Sequence, residues 1–266
     1  MKKSTFLSRY RLELEFAGTG FSGWQKQTNA RTVQGTLLDA AKEIFNDPQV
    51  DIQGHGRTDA GVHARCYTAH LESKVSNIDP GNICSRFNQL LPTSIVMLSV
   101  IPCDARFHAR HNCVGRSYVY QISKRKSAFN KNFAWWPKAD LNISAMVAAA
   151  ELFEGMHDFA AFAEKPELKK STKVLVNGVF VYDDNDMINI RIVGSHFLWK
   201  MVRRIVGVLV EAGKGKLSKE KIKRLIDGEA GKAAEYTAPA SGLLFEKAFY
   251  DQDKFDAFLK KKSGEE

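Results

Sequence analysis

The feature that most constrains the fold is a strict alternation of apolar and charged side chains over residues 9–16. A repeat of two residues is that of a β-strand, and this kind of alternation indicates a strand with one face buried and one face in water. The sequence therefore predicts a half-buried strand near the amino terminus. Its buried face is formed by Tyr10, Leu12, Leu14 and Phe16, and its wet face by Arg9, Arg11, Glu13 and Glu15.

Helical periodicity follows this strand. Thr32 is a suitable helix N-cap, because its hydroxyl can accept a hydrogen bond from a backbone N–H of the first turn. The pair Asp79-Pro80 begins a second predicted helix, since Pro is favoured at the first helical position. The apolar run 95–101 then predicts a buried strand. The predicted inward residues are Val33, Leu37, Ala41 and Ile44 in the first helix, and Ile83, Phe87 and Leu90 in the second.

A second series of elements begins beyond residue 105. The patterns predict strands over 116–122, 174–182 and 187–193, helices over 143–153 and 197–211, and a short helix capped by Ser218 that ends at Gly228. Strands and helices are mixed without strict alternation, which favours an α+β fold over a doubly wound sheet. We expect two similar lobes, residues 1–105 and 106–266, and a frayed tail over 260–266. The predicted inward residues of the longer helices are Met146, Ala150 and Phe153, and Leu198, Met201, Ile205 and Leu209.

Positive charge is concentrated in two segments of this 266-residue chain, whose formal net charge is +9. Residues 104–138 contain eight Lys or Arg and one acidic residue, and residues 200–224 contain nine and two. Such segments favour a polyanionic partner, because contacts to phosphates release counterions. They are compatible with the walls of an RNA groove and, on charge alone, equally with two solvated faces.

Cysteine spacing and hydropathy narrow the class of protein further. Cys66, Cys84, Cys103 and Cys113 are widely spaced without a C-x-x-C motif, which argues against a disulfide framework or zinc knuckle and predicts buried free thiols. The amino terminus lacks the continuous apolar core of a signal peptide, and no run approaches the ~18 apolar residues of a membrane span. We expect a soluble, cytoplasmic protein without a membrane partner.

The most unusual segment is GHGRTDAGVHARCYTAH, residues 54–70, in which three glycines interrupt a polar cluster. Such glycines allow positive φ and close backbone approach, which predicts a tight loop that presents Asp59. Two other interpretations stay open on the residues alone. His55, Asp59 and His63 have the spacing of one helix face and would suit a metal, although the glycines disfavour a helix. Asp59 would otherwise simply cap the next turn.

GRTDAGVHA closely resembles the signature of the bacterial tRNA pseudouridine synthase A family, and four further segments match that family in the same order. The resemblance runs from about residue 9 to residue 250, and five motifs in the correct order are highly specific. It implies the pseudouridine synthase fold, in which two lobes are fused through a mostly antiparallel mixed central sheet flanked by helices. The four segments are FSGWQKQTNARTVQG, RFHARHNCVGRSYVY, FLWKMVRRIVGVLVEAG and APASGLLFEKAFY.

The resemblance implies roles for particular residues. Asp59, the Asp of the R-T-D motif, would be the nucleophile, and Arg57 would act on the RNA as the target nucleotide is flipped out. Tyr118 would pack against the target uracil, although its strand pattern alone places it in the core. Arg203 would pair with the catalytic carboxylate, although on pattern alone it is a solvated surface residue. Leu243 would form part of an apolar pocket wall.

The resemblance also implies which residues contact tRNA. The F-H-A-R stretch and the residue after it are expected to contact the RNA, and a looser match adds two lysines of the segment 164–172. Three residues depart from the family pattern near Arg203, namely Trp199, Lys200 and Arg204, the last of which stands where many relatives have Asn. The implied contacts are Phe107, His108, Ala109, Arg110 and His111, together with Lys169 and Lys170.

The implied reaction is the isomerisation of uridine to pseudouridine at nucleotides 38 to 40 of the tRNA anticodon stem-loop. It needs a carboxylate nucleophile, which attacks either uracil C6 or ribose C1′, and the family uses neither a metal nor another cofactor. The family is also homodimeric, with one tRNA contacting both subunits. Two alternatives from other classes are an RNA-binding or RNA-chaperone protein without catalysis and a metal-dependent hydrolase that uses His55, Asp59 and His63.

Overall fold

The computed structural model of this chain describes residues 8–76, 78–164, 171–229, 231 and 233–260. The chain divides into two compact units. Unit 1 is Met1–Cys113 together with Phe245–Ala248, and unit 2 is Val114–Leu244 together with Phe249–Glu266.

Unit 1 is a sheet covered on one face by two helices. Along the chain it contains β1 (Ser8–Phe16), α1 (Val33–Phe45), β2 (Asp51–Gly54), β3 (His63–Ser73), α2 (Pro80–Leu90) and β4 (Ile95–Pro102). β1 lies between β4 and β3 and pairs antiparallel with both, and β2 also pairs antiparallel with β3. Residues 245–248 of a later strand lie on the other side of β3.

Most of the local predictions in unit 1 are confirmed. The four apolar residues of β1 are all buried, and the Thr32 and Asp79 side chains accept hydrogen bonds from Gly35 N and Asn82 N as N-caps. Two predictions are wrong. Leu90 is 40% exposed, and β4 buries only one face, because it is an edge strand with apolar residues on both faces. Its exposed apolar side chains are Val96, Leu98 and Ile101.

Unit 2 contains strands that pair antiparallel in the order β5-β8-β7-β6 and belong to the same nine-stranded sheet as those of unit 1. Its first elements are β5 (Gly115–Ser123), α3 (Ile143–Ala150), β6 (Gly155–Asp158), β7 (Lys173–Asp184) and β8 (Met187–Gly194). They are followed by α4 (Met201–Gly213), α5 (Lys219–Ile226), β9 (Leu243–Phe249) and α6 (Gln252–Lys260). The middle of β9 belongs to unit 1, whereas both ends belong to unit 2.

The predicted α+β class is confirmed, and the two units share an order of elements. Unit 1 runs β1-α1-β2-β3-α2 and unit 2 runs β5-α3-β7-β8-α4, with the short β6 inserted after α3. Each therefore has a strand, a helix, an antiparallel pair of strands and a second helix.

Two details in unit 2, and the burial of the four cysteines, differ from expectation. α4 begins at Met201 and not at 197, because Lys200 adopts a left-handed conformation with φ of 63° that interrupts the helix. α6 was not predicted and includes Lys260, while the rest of the predicted tail, 261–266, lies outside the described residues. The four cysteines are half-buried and not buried. In the described part of the chain, no helix has the length and apolar character needed to cross a membrane.

Candidate active site

Asp59 lies on the loop between β2 and β3, which we call the Asp59 loop and define as residues 55–62. Its backbone is held on both sides of Asp59. Trp24 N donates to Thr58 O at 3.2 Å, and Val62 N donates to Asp59 O at 3.2 Å. Asp59 is half-buried, whereas Arg57 on the same loop is exposed. The predicted tight turn is therefore present, and it carries both Arg57 and Asp59.

Gly23 allows its own segment of the chain to lie close to the backbone of the Asp59 loop. It has a left-handed φ of 85°, and a Cβ at this position would clash with Thr58 O and lie 3.2 Å from the carbonyl carbon of Asp59. Of the three glycines that predicted the turn, Gly61 has a positive φ, at 78°. The backbone at Asp59 is thus fixed by contacts that only glycine at position 23 permits.

An aromatic group supports the Asp59 loop from within unit 1. Trp24 stacks on Tyr67 with ring centroids 4.1 Å apart, and His55 stacks on Phe245 at 4.0 Å. The Tyr67 hydroxyl donates to Gly56 O within the loop. His55 is buried and belongs to this packed group. Tyr67 and Phe245 are not predicted from the sequence as part of the site, because their only signal is the apolar pattern of their strands.

The metal interpretation of this segment is wrong. It required His55, Asp59 and His63 on one helix, but residues 55–62 form a loop and His63 begins β3. The His63 ring is buried, and its Nδ1 accepts a hydrogen bond from Gly18 N at 2.9 Å. Within the residues that the structure describes, no three His, Cys, Asp or Glu side chains are grouped to hold a metal ion.

The 107–111 loop of unit 1 is fixed by two side chains of the sheet. Arg9 Nη1 donates to Phe107 O at 2.7 Å, and His70 Nδ1 accepts from Ala109 N at 3.2 Å. His70 is only 1% exposed, and burial, together with the nearby His108 and Arg9, lowers its pKa to about 4. The imidazole is therefore neutral at pH 7, as an acceptor of the Ala109 N–H must be.

The outer part of this loop is basic and polar. The His108 ring lies 4.6 Å from that of His70 and 4.1 Å from that of His111, and burial followed by the proximity of His111 lowers the His108 pKa. Arg110 and His111 are exposed, whereas the side chain of Ala109 is buried. The loop thus presents Arg110 and His111 outward, and its backbone is anchored at Phe107 and Ala109.

In unit 2, Arg203 lies on the first turn of α4 and is half-buried. It makes a reciprocal contact with the segment before β9. Arg203 Nε donates to Ala238 O at 2.7 Å, and Ala238 N donates to Arg203 O at 3.1 Å. Two of the matched motifs, M-V-R and A-P-A-S-G-L, therefore meet at Arg203, which fixes the direction of its side chain.

The adjacent Arg204 is more deeply buried, at 2% exposure. Its Nη2 forms an ion pair with Glu164, and Lys200 Nζ lies 3.6 Å from the same carboxylate. The Nη1 atom of Arg204 is buried without a hydrogen-bond partner among the described residues. Glu164 is the last described residue before a gap, and the predicted RNA contacts Lys169 and Lys170 lie outside the described residues.

Tyr118 and Tyr120 on β5 differ in burial although they share a face of the strand. Tyr118 is half-buried with its ring edge on Phe197 at 5.3 Å, whereas Tyr120 is fully buried and its hydroxyl donates to Pro239 O at 2.8 Å. Burial raises the Tyr120 pKa. Leu243 begins β9 four residues after Pro239 and is also buried. The segment 238–243 thus contacts both Arg203 and Tyr120.

Comparison with known proteins gives one consistent result. A family model described as tRNA pseudouridine synthase matches residues 14–112 and 149–251. The tRNA pseudouridine synthase A of Thermosipho melanesiensis is 36% identical, and the alignment covers 92% of this chain and 100% of that protein. The tRNA pseudouridine synthase A 2 of Clostridium tetani is 35% identical, with 91% and 98% covered.

Matches of this extent show that the protein is an isomerase. The chain belongs to the tRNA pseudouridine synthase family. A weaker likeness exists to a solved structure of a Cbf5-Nop10-Gar1 complex, at 11% identity and a TM-score of 0.31 over 76% of this chain and 54% of that one. At that TM-score the likeness supports no conclusion.

Proposed function

We propose that this protein converts uridine to pseudouridine at nucleotides 38–40 in the anticodon stem-loop of tRNA, with Asp59 as the nucleophile and without a cofactor. The observation that carries the proposal is the Asp59 loop. It holds a carboxylate at a fixed backbone position in the R-T-D motif of a chain that belongs to the tRNA pseudouridine synthase family. A binding protein has no need of a carboxylate held in this way.

The reaction rearranges atoms within one nucleotide and needs no redox partner. The bond from uracil N1 to ribose C1′ breaks, the base turns, and a bond forms from C5 to C1′. C5 then loses its proton and N1 gains one, so the product is an isomer of the substrate. The Asp59 carboxylate attacks either uracil C6 or ribose C1′, and both routes use the same nucleophile.

The resemblance assigns roles in this reaction to three residues of unit 2. We propose, as it implies, that Arg203 is the partner of the Asp59 carboxylate, and the hydrogen bond to Ala238 O orients the Arg203 guanidinium. The half-buried ring of Tyr118 stacks on the uracil, which is worth roughly 1–3 kcal/mol per base in RNA sites. Leu243 forms an apolar wall of the pocket.

The target uridine must first leave the stem, which costs a few kcal/mol of lost stacking and pairing. We propose that Arg57, exposed on the Asp59 loop, acts on the extruded nucleotide. The 107–111 loop contacts the RNA through Arg110, His111 and the edges of Phe107 and His108. Lys169 and Lys170 are proposed as further contacts on the resemblance alone. Contacts between these cations and phosphates offset the cost of extrusion.

The decisive test is Asp59→Asn, assayed on an unmodified tRNA transcript with no added cofactor. The amide has nearly the shape of the carboxylate but is not a nucleophile, so we expect tRNA binding to be retained and no pseudouridine to form. The matched control is Asp39→Asn on the exposed face of α1, which should turn over like the wild type. Normal turnover by Asp59→Asn would remove Asp59 from this role.

The position of the product tests the substrate assignment separately. Mapping of pseudouridine in the transcript should place it at 38–40, and modification only outside the anticodon arm would refute the proposed specificity while keeping the chemistry. We also propose, as the resemblance implies, that the protein is a cytoplasmic homodimer. Its mass in solution, measured by sedimentation equilibrium, should be twice the chain mass of 29.8 kDa.

A further inference from the structure

The segment between β5 and α3 carries exposed aromatic rings among basic residues. We define residues 124–138 as the Phe129 loop. Phe129 is 92% exposed and Phe133 is 45% exposed, whereas large apolar side chains are usually covered in a folded chain. The loop lies between the two ranges that match the family model, so family membership assigns it no role.

The two ends of the Phe129 loop are anchored firmly to unit 2. Lys124 forms an ion pair with Asp183, and Arg125 Nε forms one with Asp186 at 2.7 Å, both at the β7–β8 turn. On the return side, Ser123 N donates to Trp135 O at 2.8 Å, and Trp135 N donates to Gln121 O at 3.0 Å. The loop is therefore tied to the sheet at its base.

The tip of the loop has its own hydrogen bonds. Asn130 N donates to Ser127 Oγ at 3.2 Å, and Phe133 N donates to Asn130 O at 2.9 Å across a single turn of 3₁₀ helix. Phe129 precedes this turn with helical backbone angles. Its exposed ring is thus carried on an ordered backbone, so the binding of a partner does not have to order the loop first.

Charge at the tip differs from charge at the base. At the base of the loop, the positive charges of Lys124 and Arg125 are neutralised by carboxylates. At the tip, Lys126 and Lys131 have no ion-pair partner in the described part of the chain. An exposed ring between two unneutralised ammonium groups matches an unpaired nucleotide, which offers a flat base and a phosphate on each side. A protein partner fits less well, since Lys is depleted in protein interfaces.

The base of the loop is also packed against the segment that orients Arg203. The Trp135 ring meets the Tyr120 ring edge-on at 6.4 Å, and Tyr120 donates to Pro239 O beside Ala238, which accepts from Arg203. The base of the loop is therefore part of the same packed group that orients Arg203.

We propose that the Phe129 loop is a second tRNA contact, in which Phe129 stacks on an unpaired base and Lys126 and Lys131 contact the flanking phosphates. This rests on the proposed function in so far as the RNA is the tRNA substrate. The contact supplies binding and not chemistry, so it acts on KM and leaves kcat nearly unchanged.

The test of stacking compares three variants at Phe129 with an unmodified tRNA transcript. Phe129→Ala should raise both KM and the dissociation constant by between about 5-fold and 150-fold. Phe129→Tyr, which keeps a flat ring, should stay within about twofold of the wild type, and Phe129→Leu, which keeps only apolar bulk, should behave like Phe129→Ala. The matched control is Met156→Ala on β6, where another apolar side chain is 61% exposed.

The test of the phosphate contacts is the salt dependence of direct tRNA binding. Lys126→Gln and Lys131→Gln should each reduce the slope of log affinity against log salt by roughly 0.7 to 0.9. Lys254→Gln, an exposed lysine on α6, should leave the slope unchanged. If Phe129→Ala and both lysine variants bind and modify tRNA like the wild type, the proposal is wrong. A loop that binds a protein and not tRNA would also give this wild-type behaviour. A wild-type protein that binds tRNA without forming pseudouridine would overturn the proposed function and leave the loop contact standing.

Discussion

The Asp59 loop of unit 1 and the start of α4 in unit 2 each hold a charged side chain that we assign to catalysis, but they hold it differently. At Asp59 the contacts are between backbones, from Trp24 N to Thr58 O and from Val62 N to Asp59 O. At Arg203 the side chain itself is held, by the hydrogen bond from its Nε to Ala238 O. The proposed nucleophile is thus positioned by contacts of its backbone, and its proposed partner Arg203 by a polar contact of its side chain.

The difference teaches where each region is vulnerable. The Asp59 loop depends on Gly23, which leaves room for the backbone of residues 58 and 59, so a substitution there displaces the carboxylate. α4 depends on Gly207, one turn beyond Arg203, where the helix lies directly against Tyr236 O. A substitution at Gly23 should therefore mainly lower the rate of reaction, and a substitution at Gly207 should mainly lower the stability of unit 2.

The largest expected effect is that of Gly207→Ala on stability. A Cβ at this position would overlap the Tyr236 carbonyl oxygen and lie 3.3 Å from Tyr236 Cα, so α4 must shift. Overpacking against backbone should lower the free energy of unfolding by about 4 kcal/mol, measured by urea denaturation. Gly56→Ala, in the Asp59 loop with nothing within 4 Å, should change it by no more than about 1 kcal/mol. Equal stability of the two variants would show that α4 is not held against Tyr236.

The next effect is a loss of stability in acid that belongs to unit 1. His70 titrates near pH 6.5 in the unfolded chain and at a pKa of about 4 in the folded protein, where Arg9, His108, Asp51 and Glu72 surround it. Between these pH values the unfolded chain binds a proton that the folded chain excludes, so stability is full above pH 6.5 and falls as the pH drops towards 4. The loss should be on the order of 3 kcal/mol.

His70→Asn isolates this contribution. Its side-chain oxygen can accept the Ala109 N–H but cannot titrate in this range, so the slope of unfolding free energy between pH 6.5 and pH 4 should become shallower. The control is His157→Asn, which removes a histidine of unit 2 from outside the 107–111 loop. An unchanged slope in His70→Asn would mean that the acid sensitivity arises elsewhere.

Sequence reasoning succeeded where a pattern was local. β1 was predicted correctly because charged residues mark its wet face, and the caps at Thr32 and Asp79 are contacts within three residues. β4 is predicted to be fully buried because apolar residues occupy both of its faces. Its sequence therefore lacks the alternation of apolar and polar residues that would mark one face as exposed. The start of α4 was placed four residues early, because the left-handed Lys200 carries no local signal.

In the candidate site, too, the features that depend on neighbouring residues are predictable and those that depend on distant residues are not. The glycines of residues 54–61 predicted a tight turn at Asp59, and the structure has one. The support beneath that turn was not predictable, because Phe245 stacks on His55 from 190 residues along the chain. The contact of Arg203 with Ala238 is likewise between residues 35 apart, and a single sequence does not reveal which distant residues meet.

A smaller effect, of about 100-fold in kcat, is expected for Gly23→Ala. The added Cβ would displace Thr58 O and the Asp59 carbonyl, and a shift of about 1 Å in a reacting group commonly costs this much. Gly20→Ala is the matched control, since Gly20 has nearly the same φ, 86°, but nothing within 4 Å of its Cβ. Both variants share the backbone strain, so only Gly23→Ala should lose turnover beyond its loss of stability. Equal kcat in the two would show that the approach to Asp59 does not position the nucleophile.

The smallest effects separate the two adjacent arginines of α4. Arg203→Lys keeps the charge but loses the fixed direction that the Nε bond to Ala238 O provides, so kcat/KM should fall about 10-fold while the free energy of unfolding drops by about 1 kcal/mol. Arg204→Lys keeps a cation beside Glu164 but loses the Nη2 hydrogen bond to that carboxylate and the weak bond to Thr237 Oγ1 at 3.4 Å, so it should show a similar loss of stability with kcat/KM unchanged. Both are measured by steady-state pseudouridine formation and urea unfolding. If Arg204→Lys slows the reaction as much as Arg203→Lys, the two side chains act as one unit, and the assignment of the catalytic partner to Arg203 alone is wrong.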